Sequence, residues 1–155
     1  MELKDYLKKR LPKKKRKHSK DVARIMGYAT ATDRQKKVAM LHDVLEAGRK
    51  KEREKLKKEI EEKFGRRVLS SVKNLTTHKK GKKKQKEMVS KMQTMPDEDV
   101  EVKLADRISN LHHREITKKY RKKTKQLIKA VEARGSVTKN QEKAIKYIRD
   151  LIKKN

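Results

Sequence analysis

Apolar residues recur three and four positions apart along most of the chain, and the elements follow from that spacing. After His18, the residues Val22, Ala23, Ile25 and Met26 predict a short amphipathic helix ending near Gly27. Val38, Ala39, Leu41, His42, Val44 and Leu45 predict a second, which stops at Gly48. Leu56, Ile60 and Phe64 lie four apart and close on Gly65, and Val68, Val72 and Leu75 continue on a further helix. Pro96 and the acids after it suit the positive end of a helix dipole, ahead of a buried stripe of Val100, Leu104, Ile108 and Leu111. A helix over Lys118 to Ala133 ends at Gly135. Thr138 and Gln141 form a capping box for the last one, whose apolar face is Ala144, Ile145, Ile148, Leu151 and Ile152. No alternation of strand type interrupts this pattern, so the expected fold is all-α and a single domain.

Between these helices lies "KKGKKKQK", Lys79 to Lys86, with six lysines in eight residues. It reads as a solvated loop or the frayed start of a helix. Lysine dominates elsewhere too. Of 155 residues, 45% are charged and 32% apolar, with a formal net charge of +28, so the core must be thin and its stability must come from helix packing. The absence of cysteine excludes disulfides, a thiolate nucleophile and a cysteine-ligated zinc site. No apolar run is long enough to span a bilayer, and "MELKDYLKKRLPKKKRKH" has no apolar signal segment, so a cytoplasmic protein without a membrane is expected.

A charge of +28 suits nucleic acid, an anionic membrane surface or a polyphosphate substrate. Aromatic residues are only 3% of the chain, too few for the stacking platforms that grip single strands. Lysine-rich surfaces also occur in thermophiles as ion-pair networks, but 21 acids against 49 bases cannot balance such networks here.

Chemistry concentrates in "VAMLHDVLEAG", Val38 to Gly48. On one helix His42 and Glu46, four apart, share a face, and Asp43 lies about 100° round from His42. Such a group at the edge of an apolar stripe is costly to bury unless it binds something, and imidazole with carboxylate suits Mn²⁺, Fe or Zn²⁺. His18 in "HSKDVARI" and Asp106 in "VKLADRISNL" stand at the edges of other apolar stripes.

With "AMLHDVLEAG" and "EIEEKFGRRVLSSVKNLT", these blocks resemble the HD-domain metal-dependent phosphohydrolases, and among them the hydrolase domain of RelA/SpoT-type alarmone enzymes, including stand-alone small alarmone hydrolases. The resemblance runs from His18 to Leu111 and more loosely to Gly135. It implies an HD-domain helical bundle over 18–135, preceded by a basic segment, 1–17, and followed by an amphipathic helix, 136–155, packed on the domain. It makes His18, His42, Asp43 and Asp106 the ligands of one divalent ion, Mn²⁺ foremost, with Zn²⁺ or Fe²⁺ as alternatives. It places Glu46 beside the attacking water, Asn110 on the nucleoside, and Lys9 or Arg10 at the family's basic pair, where "LPKKKRK" replaces the family's glycine and aromatic residues. Lys82 and Lys86, in the lysine-rich stretch, and the run Lys8 to Lys17 would draw in substrate phosphates.

The activity implied is removal of the 3′-pyrophosphate of guanosine tetra- or pentaphosphate, giving GDP or GTP and pyrophosphate. One departure stands out: the family usually carries Glu-Asp where this chain has Glu46-Ala47. That opens two alternatives. One is an HD phosphohydrolase of another nucleotide, of nucleotidase or NADPH phosphatase type; the other is a basic nucleic-acid-binding protein with a vestigial HD site.

Overall fold

Leu3, Tyr6 and Leu7 begin the chain on a helix that the lysines around them conceal. In the computed structural model, which describes residues 2–29 and 31–154, α1 (Leu3–Arg10) and α2 (Lys13–Met26) are separated only by Leu11 and Pro12. The first helix of the sequence reading, placed after His18, therefore starts five residues before it, and His18 sits inside α2 rather than at its head. Lysine is a good helix former, and Pro12 at the N-cap of α2 needs no amide partner, so the charge of the segment does not prevent helix formation. Burial of Tyr6, Leu7 and Leu11 supplies the tertiary part.

All secondary structure among the described residues is helical. The residues gather into two compact units, one up to His78 and one from Lys79 on, the break falling at the start of the lysine-rich stretch. No helix among the described residues is long and apolar enough to cross a membrane.

In the first unit, α3 (Asp33–Leu41) and the single turn α4 (Val44–Ala47) lead through a 3₁₀ turn (Lys50–Glu52) into α5 (Arg53–Phe64) and α6 (Arg66–Asn74). A capping box of Thr32 and Gln35, a T-x-x-Q signal ahead of the apolar stripe, fixes the start of α3. α2 packs on α3, α3 on α6 and α5 on α6. Val22, Ala39, Leu41, Ile60 and Val72 are fully buried between them. The α5 stop is as its pattern predicts: Gly65 has φ of 100°, a conformation that side chains with a Cβ rarely adopt.

The helix α1 is tied to α5 by charge. Arg10 donates to both carboxylate oxygens of Glu59 at 2.7 Å, and the Tyr6 hydroxyl donates to the same group at 3.2 Å. Burial works against the Glu59 carboxylate, but the hydrogen bond and charge of Arg10 outweigh it and hold its carboxyl below the ordinary value. Burial, then the Glu59 charge, push the Tyr6 phenol up to about 12. Signs follow by linkage. The depressed carboxyl stabilises the fold above its unfolded value and loses that contribution as pH falls. The raised phenol stabilises below its unfolded value of 10.0 and loses that as pH rises through about 12. Glu59→Gln should cost about 1.5–3 kcal/mol, the range for hydrogen bonds to charged groups, and should flatten the acid limb of the stability profile. Urea unfolding of both proteins at pH 4 and pH 7 measures this, and equal stabilities at pH 7 would show that the tie contributes nothing.

In the second unit, α7 (Lys82–Thr94), α8 (Asp97–His113), α9 (Lys118–Glu132) and α10 (Lys139–Lys153) pack as α8 on α10 and α7 on α9. The lysine-rich stretch thus passes through a turn at Gly81 into a helix that starts at Lys82. The helix start that the sequence reading allowed here falls at Lys82, but it did not follow α7 on to Thr94, because only Met88 and Met92 carry the buried stripe. Arg134 closes the other end of α7, donating to the carbonyls of Met92 and Met95 at 2.7 and 2.6 Å. The predicted capping box of Thr138 and Gln141 is present at the head of α10, and its Thr138 hydroxyl also donates to Glu101 on α8.

Candidate metal centre

The HD pair does not lie inside one helix, as the periodicity predicts, but at a break in it. α3 ends at Leu41, His42 and Asp43 form a turn, and α4 resumes at Val44. Both turn residues keep right-handed helical dihedrals, φ −58° and ψ −26° for His42 and φ −94° and ψ −6° for Asp43, so the register of the face is nearly preserved. The side chain supplies the reason for the break. His42 Nδ1 lies 2.6 Å from the carbonyl oxygen of Ala39, one of the last carbonyls of α3, and satisfies it in place of a backbone amide.

That bond also sets the ring's chemistry. A carbonyl oxygen can only accept, so Nδ1 carries the hydrogen and Nε2 of the neutral ring carries the lone pair. Nε2 stands 3.4 Å from Asp43 Oδ1. Two acceptors at that distance repel unless a cation lies with them. A second proton on the ring would serve, and so would a metal ion. A metal-binding histidine ordinarily donates its other ring nitrogen to a carbonyl or carboxylate, which is the arrangement of His42 on Ala39.

His18 approaches from α2. Its ring centroid is 5.3 Å from that of His42 with the planes at 67°, and a ring nitrogen of each lies within 4.8 Å of the other. The packing of α2 on α3, with Val22 and Val38 buried in the core, holds the two imidazoles in this relation. His42 is buried, whereas His18 and Asp43 are half-buried, so the group lies at the edge of the core. Two imidazole nitrogens make a borderline donor pair, which fits Mn²⁺, Fe²⁺ or Zn²⁺ and does not fit the all-oxygen preference of Ca²⁺ or Mg²⁺.

Glu46 is half-buried in α4, one turn beyond His42. Ala47 beside it is exposed. Gly48 follows the turn at a close approach: a Cβ there would meet Leu56 Cδ1, so a larger residue would require the buried Leu56 side chain of α5 to shift. The close approach of Gly48 to α5 therefore fixes where α4, and with it Glu46, is held.

The remaining residues singled out by sequence lie as follows. Asp106 is buried on α8 in the second unit, with Lys103 Nζ 2.9 Å from its Oδ2. Asn110 is half-buried one turn further along α8. Lys82 and Lys86 are exposed on α7 and Lys9 is exposed on α1, whereas Arg10 is engaged with Glu59. At the end of α8, His112 and His113, which carry no role in the sequence reading, are exposed, and His112 Nε2 lies 2.8 Å from the Tyr147 hydroxyl. The sequence reading passed over Lys103, although a Lys-to-Asp spacing of three on one helix was its signal. No family model matches the chain, and no curated protein matches it at a significant level.

Proposed function

We propose that the protein is a metal-dependent phosphohydrolase of HD type that removes the 3′-pyrophosphate of guanosine tetra- or pentaphosphate. The observation that carries the reading is the His18–His42 pair with Asp43 beside it. Two imidazoles brought together from separate helices at the edge of the core, one with its tautomer set by a carbonyl, are hard to explain without a bound cation. The likeness of the four sequence blocks to alarmone hydrolases supplies the substrate class.

In this reading His18, His42, Asp43 and Asp106 would hold one divalent ion, Mn²⁺ by preference, which when bound lowers the pKa of a water and polarises a phosphate oxygen. Glu46 orients that water and takes its proton as the oxygen attacks phosphorus. The bond from the 3′ oxygen to phosphorus would then break, pyrophosphate would depart, and the proton held by Glu46 would pass to the 3′ oxygen. Asn110 holds the nucleoside, and Lys9, Lys82 and Lys86 neutralise phosphate charge as the substrate enters.

Ala47 favours a second reading, hydrolysis of another nucleotide, because the carboxylate that alarmone hydrolases carry there is missing. One assay separates the two. Pyrophosphate release from guanosine tetraphosphate should depend on Mn²⁺, stop with a chelator, and rise several-fold in Ala47→Asp. No release by either protein, with Mn²⁺ bound at one equivalent, would reject the alarmone and leave the other nucleotides.

A further inference from the structure

The second unit holds a concentration of positive charge in which several cations have no ion-pair partner among the described residues. Tyr120, in the first turn of α9, is buried. The guanidinium carbon of Arg107 lies 4.5 Å from its ring centroid and that of Arg114 lies 3.9 Å from it, so two arginines share one ring. Arg107 is 8% exposed and donates to the Thr124 hydroxyl at 3.2 Å, while its Nε is buried without a hydrogen-bond partner among the described residues. The Lys123 ammonium is lowered by burial and by four like charges, Lys119, Arg107, Arg114 and Lys84. Among the described residues Arg107, Arg114, Lys119 and Lys123 take part in no ion pair. Asp106, the acid next to Arg107, has Lys103 on it, and Glu115 lies on the rim of the groove that Arg114 helps to line.

Like charges gathered without counterions cost stability in the absence of an anion and repay it when one binds. Their extent says which anion. Gln85 Nε2 donates to the Lys123 carbonyl at 3.1 Å and to Gln126 Oε1 at 3.0 Å, which fastens the first turn of α7 against α9. Lys84, beside Gln85 on α7, is thereby brought near Lys123, whose charge it opposes. Along α9, exposed Lys118, Lys122, Lys125 and Lys129 recur once per turn over roughly 16 Å at 1.5 Å per residue, on the outer side of the helix away from Tyr120, with Lys119 and Lys123 between that row and the buried face. A single phosphate neutralises a small part of such a surface, whereas a phosphodiester chain presents charge along all of it. Base stacking has no platform here, because Tyr120 is buried under its two guanidiniums.

We propose that this face of the second unit, with Arg114 and Lys119 above the buried Arg107 and Tyr120, binds the phosphodiester backbone of a nucleic-acid duplex without reading its sequence. Arg107 stiffens Arg114 through the shared ring and adds a fixed charge below it, and the lysines of α7 and α9 extend the binding face.

The test is fluorescence anisotropy of the intact protein with a 20-base-pair DNA duplex and an RNA duplex of the same sequence, between 50 and 200 mM salt. Arg114→Gln/Lys119→Gln/Lys123→Gln should weaken binding about tenfold or more and reduce the slope of log K against log salt by roughly 2 to 3, near 0.9 for each DNA phosphate left without its cation. Lys139→Gln/Lys143→Gln/Lys146→Gln removes the same charge from α10 and should change the slope by less than about 1. Lys119→Glu covers the event that loss of Arg114 loosens Tyr120, since Lys119 is exposed and an acid suits the first turn of a helix. It should raise the Kd about fivefold or more at 100 mM salt. Tighter binding of one duplex would identify the preferred backbone and support the proposal. Equal losses in the two triple variants, an unchanged Kd in Lys119→Glu, or no duplex binding by the native protein at 50 mM salt would overturn it.

Discussion

Asp43→Ala should abolish stoichiometric Mn²⁺ binding and with it pyrophosphate release. Loss of a residue that merely supports a metal ligand costs roughly 10–100-fold in affinity, and loss of a ligand itself should exceed that. The substitution is a clean one for this fold. Asp43 sits at the N-cap of α4, but its side chain makes no capping hydrogen bond there, so alanine removes a carboxylate without removing a cap. It also takes away the acceptor 3.4 Å from His42 Nε2. Metal binding by calorimetry, with helical content and thermal midpoint measured alongside, reads the two effects separately. One equivalent of Mn²⁺ retained in the folded variant would reject Asp43 as a ligand and leave a second proton on the His42 ring as the cation between the two groups.

Glu46→Gln should behave differently: metal bound as in the native protein, and kcat lower by about 10²–10⁴-fold, the usual contribution of a positioned general base. Glutamine keeps the size and polarity of the side chain in α4 and removes only the basicity. The close packing of Gly48 against Leu56 holds that turn in place in both proteins. If Mn²⁺ affinity fell together with rate, Glu46 would be a ligand and not the base. Rate and affinity both unchanged would take it out of the chemistry.

Much of the helical layout was legible in the order of apolar positions. The spacing of Leu56, Ile60 and Phe64 with Gly65, the stripe of α8 from Val100 to Leu111, and the Thr138 and Gln141 box all describe local events: a buried face, a stop and a cap. Where the reading fell short, few apolar residues marked the element. α1 shows only Leu3, Tyr6 and Leu7 among lysines, and α7 only Met88 and Met92 among its buried residues. Lysine is as compatible with a helix as with a solvated run, so composition could not separate the two. Tertiary burial did.

The candidate centre divides the same way. His42, Asp43 and Glu46 could be picked out because polar groups at the edge of an apolar stripe need a partner wherever the stripe is buried. That the helix breaks between α3 and α4, that Ala39 holds the His42 ring by Nδ1, and that His18 faces it from α2 depend on residues brought together by packing. The sharing of Tyr120 by Arg107 and Arg114 is of that kind as well. Periodicity along a chain specifies which face of each helix is apolar, a property of neighbours three and four apart. Which imidazole meets which carboxylate, and which cations are left without one, is set by packing between helices, and only the folded arrangement contains it.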